Sequence, residues 1–273
     1  DDKIAVGGSF VCALKSGEVY CWGYNTNGEL GDGTTVAKSL PVKVKGGETG
    51  DTYLTGVIDI VAGYNHTCIK KSDASLYCWG YNGYGGLGDG TTANKNTPVR
   101  VKGGVTGETY LSGVTEFIAG VHYTCVKRSA GEVYCWGYNN YGQLGDNSLT
   151  NRTTPVAVFG AGKSGILNAD SLSLRNSSCS LKNGEVYCWG RNDYGQIGDG
   201  STINKWTPVQ VAGGASGATY LTGVEKVVTG GAGYACALKS GEVYCWGYNA
   251  NGELGDGTTA VKYTPVKVKG GET

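Results

Sequence analysis

Cysteine is the most reactive residue type in this 273-residue sequence, and its ten copies fall into five local pairs. The pairs are Cys12 with Cys21, Cys68 with Cys78, Cys125 with Cys135, Cys179 with Cys188, and Cys236 with Cys245. Paired cysteines bind zinc, exchange electrons or form structural disulfides. Zinc ligands are usually separated by about two to four residues and usually include histidine. Since only His66 and His122 are present, we expect five intra-repeat disulfides and no metal site, with free buried thiols as the remaining alternative.

Short turns between the paired cysteines support this expectation. A two-residue hairpin turn at Ser16-Gly17 would place Cys12 directly opposite Cys21, close enough for a bridge. Asn183-Gly184 and Ser240-Gly241 predict the same register in two further pairs. The other two pairs contain one extra residue, which a three-residue loop would accommodate. Five disulfides would place the protein in an oxidising compartment, and we expect it to be extracellular.

Oxygen-bearing side chains and glycines follow each cysteine pair, as in the segment from Asn25 to Gly33. A calcium loop is one interpretation, but the spacing does not match the known calcium-loop pattern. We favour a tight turn in which Asp32, and Asp89, Asp146, Asp199 and Asp256 after it, accepts hydrogen bonds from local backbone amides. Because these acids recur in every unit, they do not form the single asymmetric cluster that an active site needs. We predict no catalytic residues and no cofactor.

Exposed aromatic side chains are the strongest candidates for binding. Tyrosine follows a Trp-Gly pair four times, and arginine replaces it once; the residues are Tyr24, Tyr81, Tyr138, Arg191 and Tyr248. Aromatic anchors combined with arginine are typical of protein interfaces, and aromatic rings also stack on sugars. The preceding tryptophans, in the middle of strands, are predicted to fill the spaces between sheets. The fourth unit adds Arg175 and Trp206, which makes it our candidate for a specialised contact.

Three sequons for N-linked glycosylation are present, at Asn65, Asn151 and Asn176. In a secreted chain each is a candidate glycan acceptor.

A repeat organises all of these residues. The tetrapeptide Tyr-Cys-Trp-Gly begins at residues 20, 77, 134, 187 and 244, with spacings of 57, 57, 53 and 57 residues. The residue pattern of each unit predicts four short strands. In the second unit these are Val57 to Gly63, Thr67 to Lys70, Leu76 to Gly80 and Thr97 to Val101. One four-stranded antiparallel sheet per repeat is the blade of a β-propeller. The predicted blades are 1–56, 57–113, 114–166, 167–223 with a degenerate first strand, and 224–273.

The segment from Gly17 to Thr35, with Pro41-Val42 after it, resembles the repeat of the regulator-of-chromosome-condensation family, and the resemblance covers essentially the whole chain. It implies a propeller that binds proteins, usually with seven blades. The cysteine pairs resemble the extracellular bacterial branch of that family. With five units, we expect either a small closed ring or an open arc of a larger propeller. Nucleotide exchange and chromatin binding, known of the family's nuclear member, are not carried over to this chain.

Charge and hydropathy exclude some other classes. Twenty-three basic residues balance twenty-three acidic ones, so no excess of positive charge is available to bind nucleic acid. No run of 18 apolar residues predicts a membrane span. The chain begins with Asp1-Asp2 rather than methionine, which suggests a processed or excised segment.

Two functional hypotheses remain. In the first, the protein is an extracellular structural subunit that associates with itself, through its repeat blades, into a surface layer or filament. In the second, it is a discrete secreted module that binds another protein or a glycan, an enzyme inhibitor included. Neither hypothesis makes the protein an enzyme.

Overall fold

The computed structural model describes residues 2–270, which form twenty β-strands and four short 3-10 turns. The strands make five antiparallel sheets, each of four strands that are consecutive in the chain. The prediction of an all-β fold with five four-stranded blades is confirmed. The predicted chain-end positions, residue 1 and residues 271–273, lie outside the described residues.

Each sheet follows the chain order of its strands. The first contains β1 (Lys3–Val6), β2 (Phe10–Lys15), β3 (Glu18–Gly23) and β4 (Lys38–Lys43). The second contains β5 (Val57–Ala62), β6 (His66–Lys71), β7 (Leu76–Gly80) and β8 (Lys95–Arg100). The third contains β9 (Val114–Ala119), β10 (Tyr123–Arg128), β11 (Val133–Gly137) and β12 (Arg152–Ala157). The fourth contains β13 (Ser171–Leu174), β14 (Ser177–Lys182), β15 (Glu185–Gly190) and β16 (Lys205–Gln210). The fifth contains β17 (Lys226–Thr229), β18 (Tyr234–Lys239), β19 (Glu242–Gly247) and β20 (Lys262–Lys267). The 3-10 turns are Gly47–Thr49, Gly104–Thr106, Ala161–Lys163 and Gly214–Ser216.

The hairpin between β2 and β3 has the predicted register. Ser16 and Gly17 both have positive φ, 51° and 82°, which is the geometry of a two-residue type I′ turn. That turn places Lys15 opposite Glu18 and Cys12 opposite Cys21. The turns at Asn183-Gly184 and Ser240-Gly241 give the same pairing in the fourth and fifth sheets.

Each sheet contains one disulfide between directly opposed cysteines, with a Cα–Cα distance of 4.1 Å in every case. No free cysteine remains among residues 2–270. Both cysteines of the first four bridges are buried on one face of their sheet, whereas Cys236 of the fifth bridge is partly exposed.

Two strands of the second sheet begin earlier than predicted. β8 begins at Lys95 rather than Thr97, because Gly80 pairs with Lys95 beyond an irregularity in the ladder. β6 begins at His66 because His66 pairs with Gly80. Sequence periodicity does not predict these strand ends, since they depend on pairing with the partner strand.

The degenerate fourth repeat still forms its first strand. β13 alternates partly buried serines with buried Leu172 and Leu174, the period-two pattern of a strand. Ser173 Oγ also accepts a 2.9 Å hydrogen bond from the backbone N–H of Thr229 in β17. The altered sequence therefore keeps both the strand and its contact with the fifth sheet.

The chain divides into two compact units, which are described separately. The first comprises residues up to 129 with 134–138 and 150–156, and the second comprises 130–133, 139–149 and the chain from 157 onward. In the first unit, the core includes Cys12 and Leu14 of the first sheet together with Ile69 and Trp79 of the second. In the second unit, Cys188 and Val186 pack in one core with Trp246. In both units, the face of a sheet that carries the disulfide packs against the tryptophan-bearing face of the next sheet. No helix in residues 2–270 is long and apolar enough to span a membrane.

Candidate functional site

The loop after the third strand of each sheet is built around a buried asparagine. Asn25 accepts a 2.9 Å hydrogen bond from Leu30 N through Oδ1. Its Nδ2 donates to the backbone oxygens of Thr34 and Val36, at 3.2 and 3.1 Å. Asp32 accepts hydrogen bonds from Thr34 N and Thr34 Oγ1, at 2.9 and 2.8 Å. The side chains that resembled calcium ligands are thus used to fold the loop.

The same arrangement recurs in the other four loops, where Asn82, Asn139, Asn192 and Asn249 each accept from a backbone amide five residues later. Burial by itself raises the pKa of Asp256, but hydrogen bonds from Thr258 and the neighbouring Lys262 outweigh it and lower the pKa to about 2. Each loop is therefore a rigid support for the side chains that flank it. Among residues 2–270, no three His, Cys, Asp or Glu side chains lie close enough together to hold a metal ion.

Five rings of the first unit form one cluster, which we call the aromatic cluster: Tyr64, Tyr81, Tyr84, His122 and Tyr138. Tyr84 links its two ends, with ring centroids 5.6 Å from His122 and 4.7 Å from Tyr138. His122 lies 5.0 Å from Tyr81 and 5.9 Å from Tyr64. These are distances at which tilted and edge-on aromatic pairs are attractive.

The backbone brings the cluster together at one end of the second and third sheets. Tyr138 N donates to the backbone oxygen of His122 at 3.0 Å, and Tyr81 N donates to that of Asn65 at 2.8 Å. In each of these two sheets, the bond joins the loop between the first and second strands to the end of the third strand. His122 has a φ of 61°, a left-handed conformation that is uncommon outside glycine and turns its ring toward the tyrosines.

Burial favours the uncharged forms of two rings in the cluster. It lowers the pKa of His122, which disfavours the protonated ring. Burial, and then the neighbouring Tyr84, raises the pKa of Tyr81. Tyr64 is exposed and the other four rings are partly exposed, so the cluster presents an uncharged, ring-rich surface with hydroxyl groups.

The second unit carries two smaller aromatic contacts at equivalent positions. The Arg191 guanidinium lies 5.0 Å from the Tyr141 ring centroid and donates from Nε to Asp193 Oδ2 at 2.6 Å. Tyr194 and Tyr248 pack edge-on, with centroids 5.0 Å apart. Arg191 is thus held in place between a ring and a carboxylate.

The remaining predicted contact residues are more dispersed. Tyr24 is exposed in the first sheet's loop, with no ring contact among the described residues. Arg175 is exposed in the loop before β14, at the same end of the fourth sheet as Arg191. Trp206 lies on the outer strand β16, where its backbone oxygen accepts a 3.0 Å hydrogen bond from Asn147 N. Arg175 and Arg191 thus lie at the same end of the fourth sheet, whereas Trp206 contacts the loop of the third repeat.

Sequence reasoning singled out Tyr81 and Tyr138 but not Tyr64, Tyr84 or His122 as contact residues. The sequence does carry a signal for Tyr84. In three successive repeats a tyrosine stands three residues after the Tyr or Arg that follows Trp-Gly; these are Tyr84, Tyr141 and Tyr194. His122 carries no comparable signal, since its place in the cluster depends on the backbone conformation of one loop.

The three sequons lie on partly exposed asparagines. Asn176 Nδ2 donates to the backbone oxygen of Gly231 at 2.6 Å, which uses one of its two N–H groups and leaves the other for a glycan linkage. Glycosylation at Asn65, Asn151 and Asn176 stays a prediction.

Known proteins resemble this chain along nearly its whole length. The ultraviolet-B receptor UVR8 of Arabidopsis thaliana is 32% identical over 267 residues, which are 96% of this chain and 56% of that receptor. The human E3 ubiquitin-protein ligase HERC2 is 32% identical over 268 residues, 94% of this chain but 5% of the ligase. The chain thus spans little more than half of the first of these relatives and a small part of the second.

Solved structures show the same fold. Human WBSCR16 superposes with a TM-score of 0.76 at 21% identity, covering 97% of this chain and 66% of that one. Prp20p of Saccharomyces cerevisiae superposes with a TM-score of 0.74 at 19% identity, covering 98% of this chain and 63% of that one. Residues 2–273 match the family model described as the RCC1-like domain. Because this family model matches nearly the whole chain, and the repeats and blades agree with it, this chain belongs to the RCC1-like domain family.

Proposed function

We propose that this chain is a protein-binding β-propeller module that contacts its partner through the aromatic cluster. The proposal includes the five consecutive repeats with the boundaries predicted above. The observation that carries it is that five rings, with centroid separations of 4.7 to 5.9 Å, meet at the surface instead of in a core. Tyrosine rings lose little conformational entropy on binding and offer both apolar area and a hydroxyl group, which is why they anchor protein interfaces.

The ring orientations favour a protein over a glycan. Neighbouring rings of the cluster are inclined at 51° to 83°, so they form an irregular surface with edges and pockets. Stacking on a sugar requires an open ring face, whereas side chains of a protein fit between inclined rings. The guanidinium of Arg191 beside Tyr141 in the second unit adds an interface residue of the type enriched at binding hot spots.

We further propose that the module acts in an oxidising, extracellular setting and has no catalytic activity of its own. Five disulfides support the location, because reducing compartments keep such cysteines as thiols. The loop acids that could have acted as catalysts are committed to hydrogen bonds within each loop. The ligase activity named for HERC2 belongs to a protein of which this chain matches 5%, and it is not proposed for this chain.

A comparison of two triple variants tests the binding face. Tyr81→Ala/Tyr84→Ala/Tyr138→Ala removes the centre of the aromatic cluster. Tyr53→Ala/Tyr110→Ala/Tyr220→Ala removes three tyrosines that lie in the bridges between sheets, at the opposite ends of the sheets, and serves as the matched control. Immobilised wild-type chain, cluster variant and control variant are exposed to the extracellular fraction of the native source, and a protein retained by the wild type is titrated against all three by calorimetry.

We expect the retained protein to bind the wild type and the control variant with similar affinity, and the cluster variant at least about tenfold more weakly. Equal binding by all three proteins would contradict the proposed face. A glycan array run in parallel addresses the other ligand class: tight glycan binding that requires the cluster, with no protein retained, would replace the proposal with a glycan-binding function.

Self-association into an extracellular layer or filament is the second candidate function. It is favoured by one observation: Ile4, Val6 and Leu40 of the first sheet are 73%, 61% and 74% exposed, and exposed apolar side chains so close together are typical of association surfaces. Electron microscopy of the purified chain at high concentration tests it, since regular polymers and single particles differ plainly in appearance.

A further inference from the structure

In the first sheet, a lysine on the outer strand and a tyrosine on the strand beside it share one carboxylate. Lys43 and Tyr20 are directly opposed in the strand register. Lys43 Nζ lies 2.7 Å from Glu18 Oε1, and the Tyr20 hydroxyl donates to Glu18 Oε2 at 2.7 Å. The carboxylate therefore bridges the two strands, and it satisfies the cation and the hydroxyl group together.

The fifth sheet has the same arrangement in its own hairpin. Lys267 is directly opposed to Tyr244. Lys267 Nζ lies 2.5 Å from Glu242 Oε1, and the Tyr244 hydroxyl donates to Glu242 Oε2 at 2.7 Å. In both sheets the acid stands two residues before the tyrosine, on the same face of the strand, because side chains alternate between faces with a period of two.

The second sheet keeps the cation and the tyrosine but has no acid at this position. Arg100 is directly opposed to Tyr77, and Ser75 stands two residues before the tyrosine. The other four units have glutamate there: Glu18, Glu132, Glu185 and Glu242. Within residues 2–270, the Arg100 guanidinium and the Tyr77 hydroxyl make no hydrogen bond or ion pair, and Arg100 Nε is buried without an acceptor. Both groups thus lack the carboxylate that their counterparts bind.

Stacking on a tyrosine ring orients the Arg100 guanidinium. Its Cζ lies 4.4 Å from the Tyr110 ring centroid, and Tyr110 is 39% exposed. A stacked guanidinium still offers the N–H groups in its own plane, which match the two oxygens of a carboxylate. The second sheet packs against the first and third sheets within the first unit. The missing acid therefore follows from Ser75 itself and not from an uncovered sheet.

Two acids lie near Arg100, and both are bonded elsewhere. Asp73 Oδ1 accepts hydrogen bonds from Ser75 N, at 2.9 Å, and from Ser75 Oγ. Glu48 Oε2 accepts from the backbone N–H of Arg100 at 2.8 Å. In the described part of the chain, neither carboxylate forms an ion pair with the guanidinium. Asp73 and Glu48 thus hold the backbone around the site and leave the guanidinium for another carboxylate.

We propose that Arg100 and Tyr77 bind a carboxylate from an acidic side chain of a partner protein, in the place that Glu18 has in the first sheet. The site lies on an outer strand beside the exposed Tyr110 ring. A free carboxylate would gain only the polar contacts, whereas a protein surface also covers the ring. The inference goes beyond the proposed function and does not rest on the aromatic cluster, which lies at the other end of the second sheet.

Three substitutions test the site. Arg100→Gln removes the cation, and the fold accommodates glutamine there because Gln210 is the native residue at the same place in the fourth sheet. Lys43→Gln makes the same change of charge in the first sheet and is the matched control, since the carboxylate bound to Lys43 belongs to the chain itself. Ser75→Glu supplies the missing acid from within the hairpin, so it should compete with any carboxylate from outside.

The measurement is an NMR titration of the isotope-labelled chain with two blocked peptides, one of alternating glutamate and glycine, the other with glutamine in place of glutamate. Sodium acetate is titrated in parallel as a free carboxylate. We expect the glutamate peptide to shift the Arg100 Nε–H signal and the Tyr77 ring signals, and the glutamine peptide to leave them unchanged. Affinities read from the backbone amides of β8 should be equal for the wild type and Lys43→Gln, and at least about tenfold weaker for Arg100→Gln and Ser75→Glu.

Several outcomes would overturn the inference. Binding of the glutamate peptide to Arg100→Gln with wild-type affinity, or no shift of the Arg100 signal, would show that Arg100 does not bind the carboxylate. Equal binding of the two peptides would show that no carboxylate is needed. Acetate binding as tightly as the glutamate peptide would replace the partner protein with a small carboxylate. Arg100→Gln decides the question even if Ser75→Glu fails to fold, and all three variants keep the aromatic cluster, so a failure here leaves the proposed binding face untouched.

Discussion

His66 Nε2 lies 2.9 Å from Thr124 Oγ1, and this contact joins the second sheet to the third inside the first unit. Thr124 Oγ1 in turn donates to Gly86 O at 2.8 Å, so the hydroxyl proton is already used. The hydroxyl oxygen therefore accepts from His66, which fixes the neutral tautomer with its proton on Nε2. His66, a candidate metal ligand only by residue type, is a structural link between sheets.

Folding should weaken as the pH falls because of this residue. Burial, and then the nearby His122, lowers the pKa of His66 to about 3 from an ordinary value of 6.5. A depressed histidine pKa means that the unfolded chain binds the proton first, so the contribution to stability is complete above pH 6.5 and declines from there toward pH 3. We expect a loss approaching about 1.4 kcal/mol per pH unit within that range.

Denaturant unfolding between pH 7 and pH 4 measures this slope, and the variant His66→Gln supplies the control because its side chain does not titrate. The variant should lose the part of the slope that His66 contributes, and His122, whose pKa burial also lowers, should account for part of the slope that stays. An NMR titration in which the His66 ring protons shift near pH 6.5 would contradict the assignment.

The disulfides should stabilise the fold because they restrict the conformations of the unfolded chain. Cys68→Ala/Cys78→Ala removes a bridge between residues ten positions apart and should cost about 2 to 3 kcal/mol in free energy of unfolding. Denaturant melts of the double variant and the wild type give the difference.

The intact mass of the native chain should be lower than that of the reduced chain by the mass of about ten hydrogens. A peptide map that links cysteines of different repeats would be inconsistent with the hairpin register.

The buried loop asparagine should contribute more to the free energy of unfolding than its size suggests. Asn82→Ala removes the acceptor for Leu87 N at 3.0 Å and the donor to Thr91 O and Ala93 O, at 3.0 and 3.1 Å. Leaving these buried groups without partners should cost about 2 to 4 kcal/mol. Asn140→Ala, at an exposed position in the next loop, is the matched control and should cost less than about 0.5 kcal/mol. Similar thermal melts for both variants would argue against the role given to Asn82.

The same substitution should have different effects in two repeats. Trp79→Phe removes a fully buried indole and its bond to Glu29 O, and should cost about 2 to 4 kcal/mol. Trp22→Phe, at the equivalent position of the first sheet, should cost less than about 1 kcal/mol in dilute monomeric protein, because its indole is partly exposed and unbonded in the described chain. Equal losses for the two variants, measured by urea unfolding at low protein concentration, would mean that the tryptophan-bearing face of the first sheet is covered.

Much of the fold follows from local sequence. The Ser16-Gly17 turn dictates the register of β2 and β3, and with it the Cys12–Cys21 bridge, because both depend on residues within one hairpin. The candidate site is less predictable. Tyr81 and Tyr138 could be selected by their repeated position, whereas His122 joins them through a left-handed backbone conformation in a loop that no repeat signature marks.

By itself, the sequence determined the repeat, the strands of each unit, the paired cysteines and the turn chemistry, since these depend on residues that are neighbours along the chain. Only the tertiary structure decided which faces are buried. Trp22 and Trp79 stand in the same tetrapeptide, Tyr-Cys-Trp-Gly, yet one is partly exposed and the other is fully buried. The physical reason is that burial and hydrogen bonding of an indole depend on the sheet packed against it, and that sheet comes from another repeat: Glu29 O, which accepts from the Trp79 indole, lies fifty residues away.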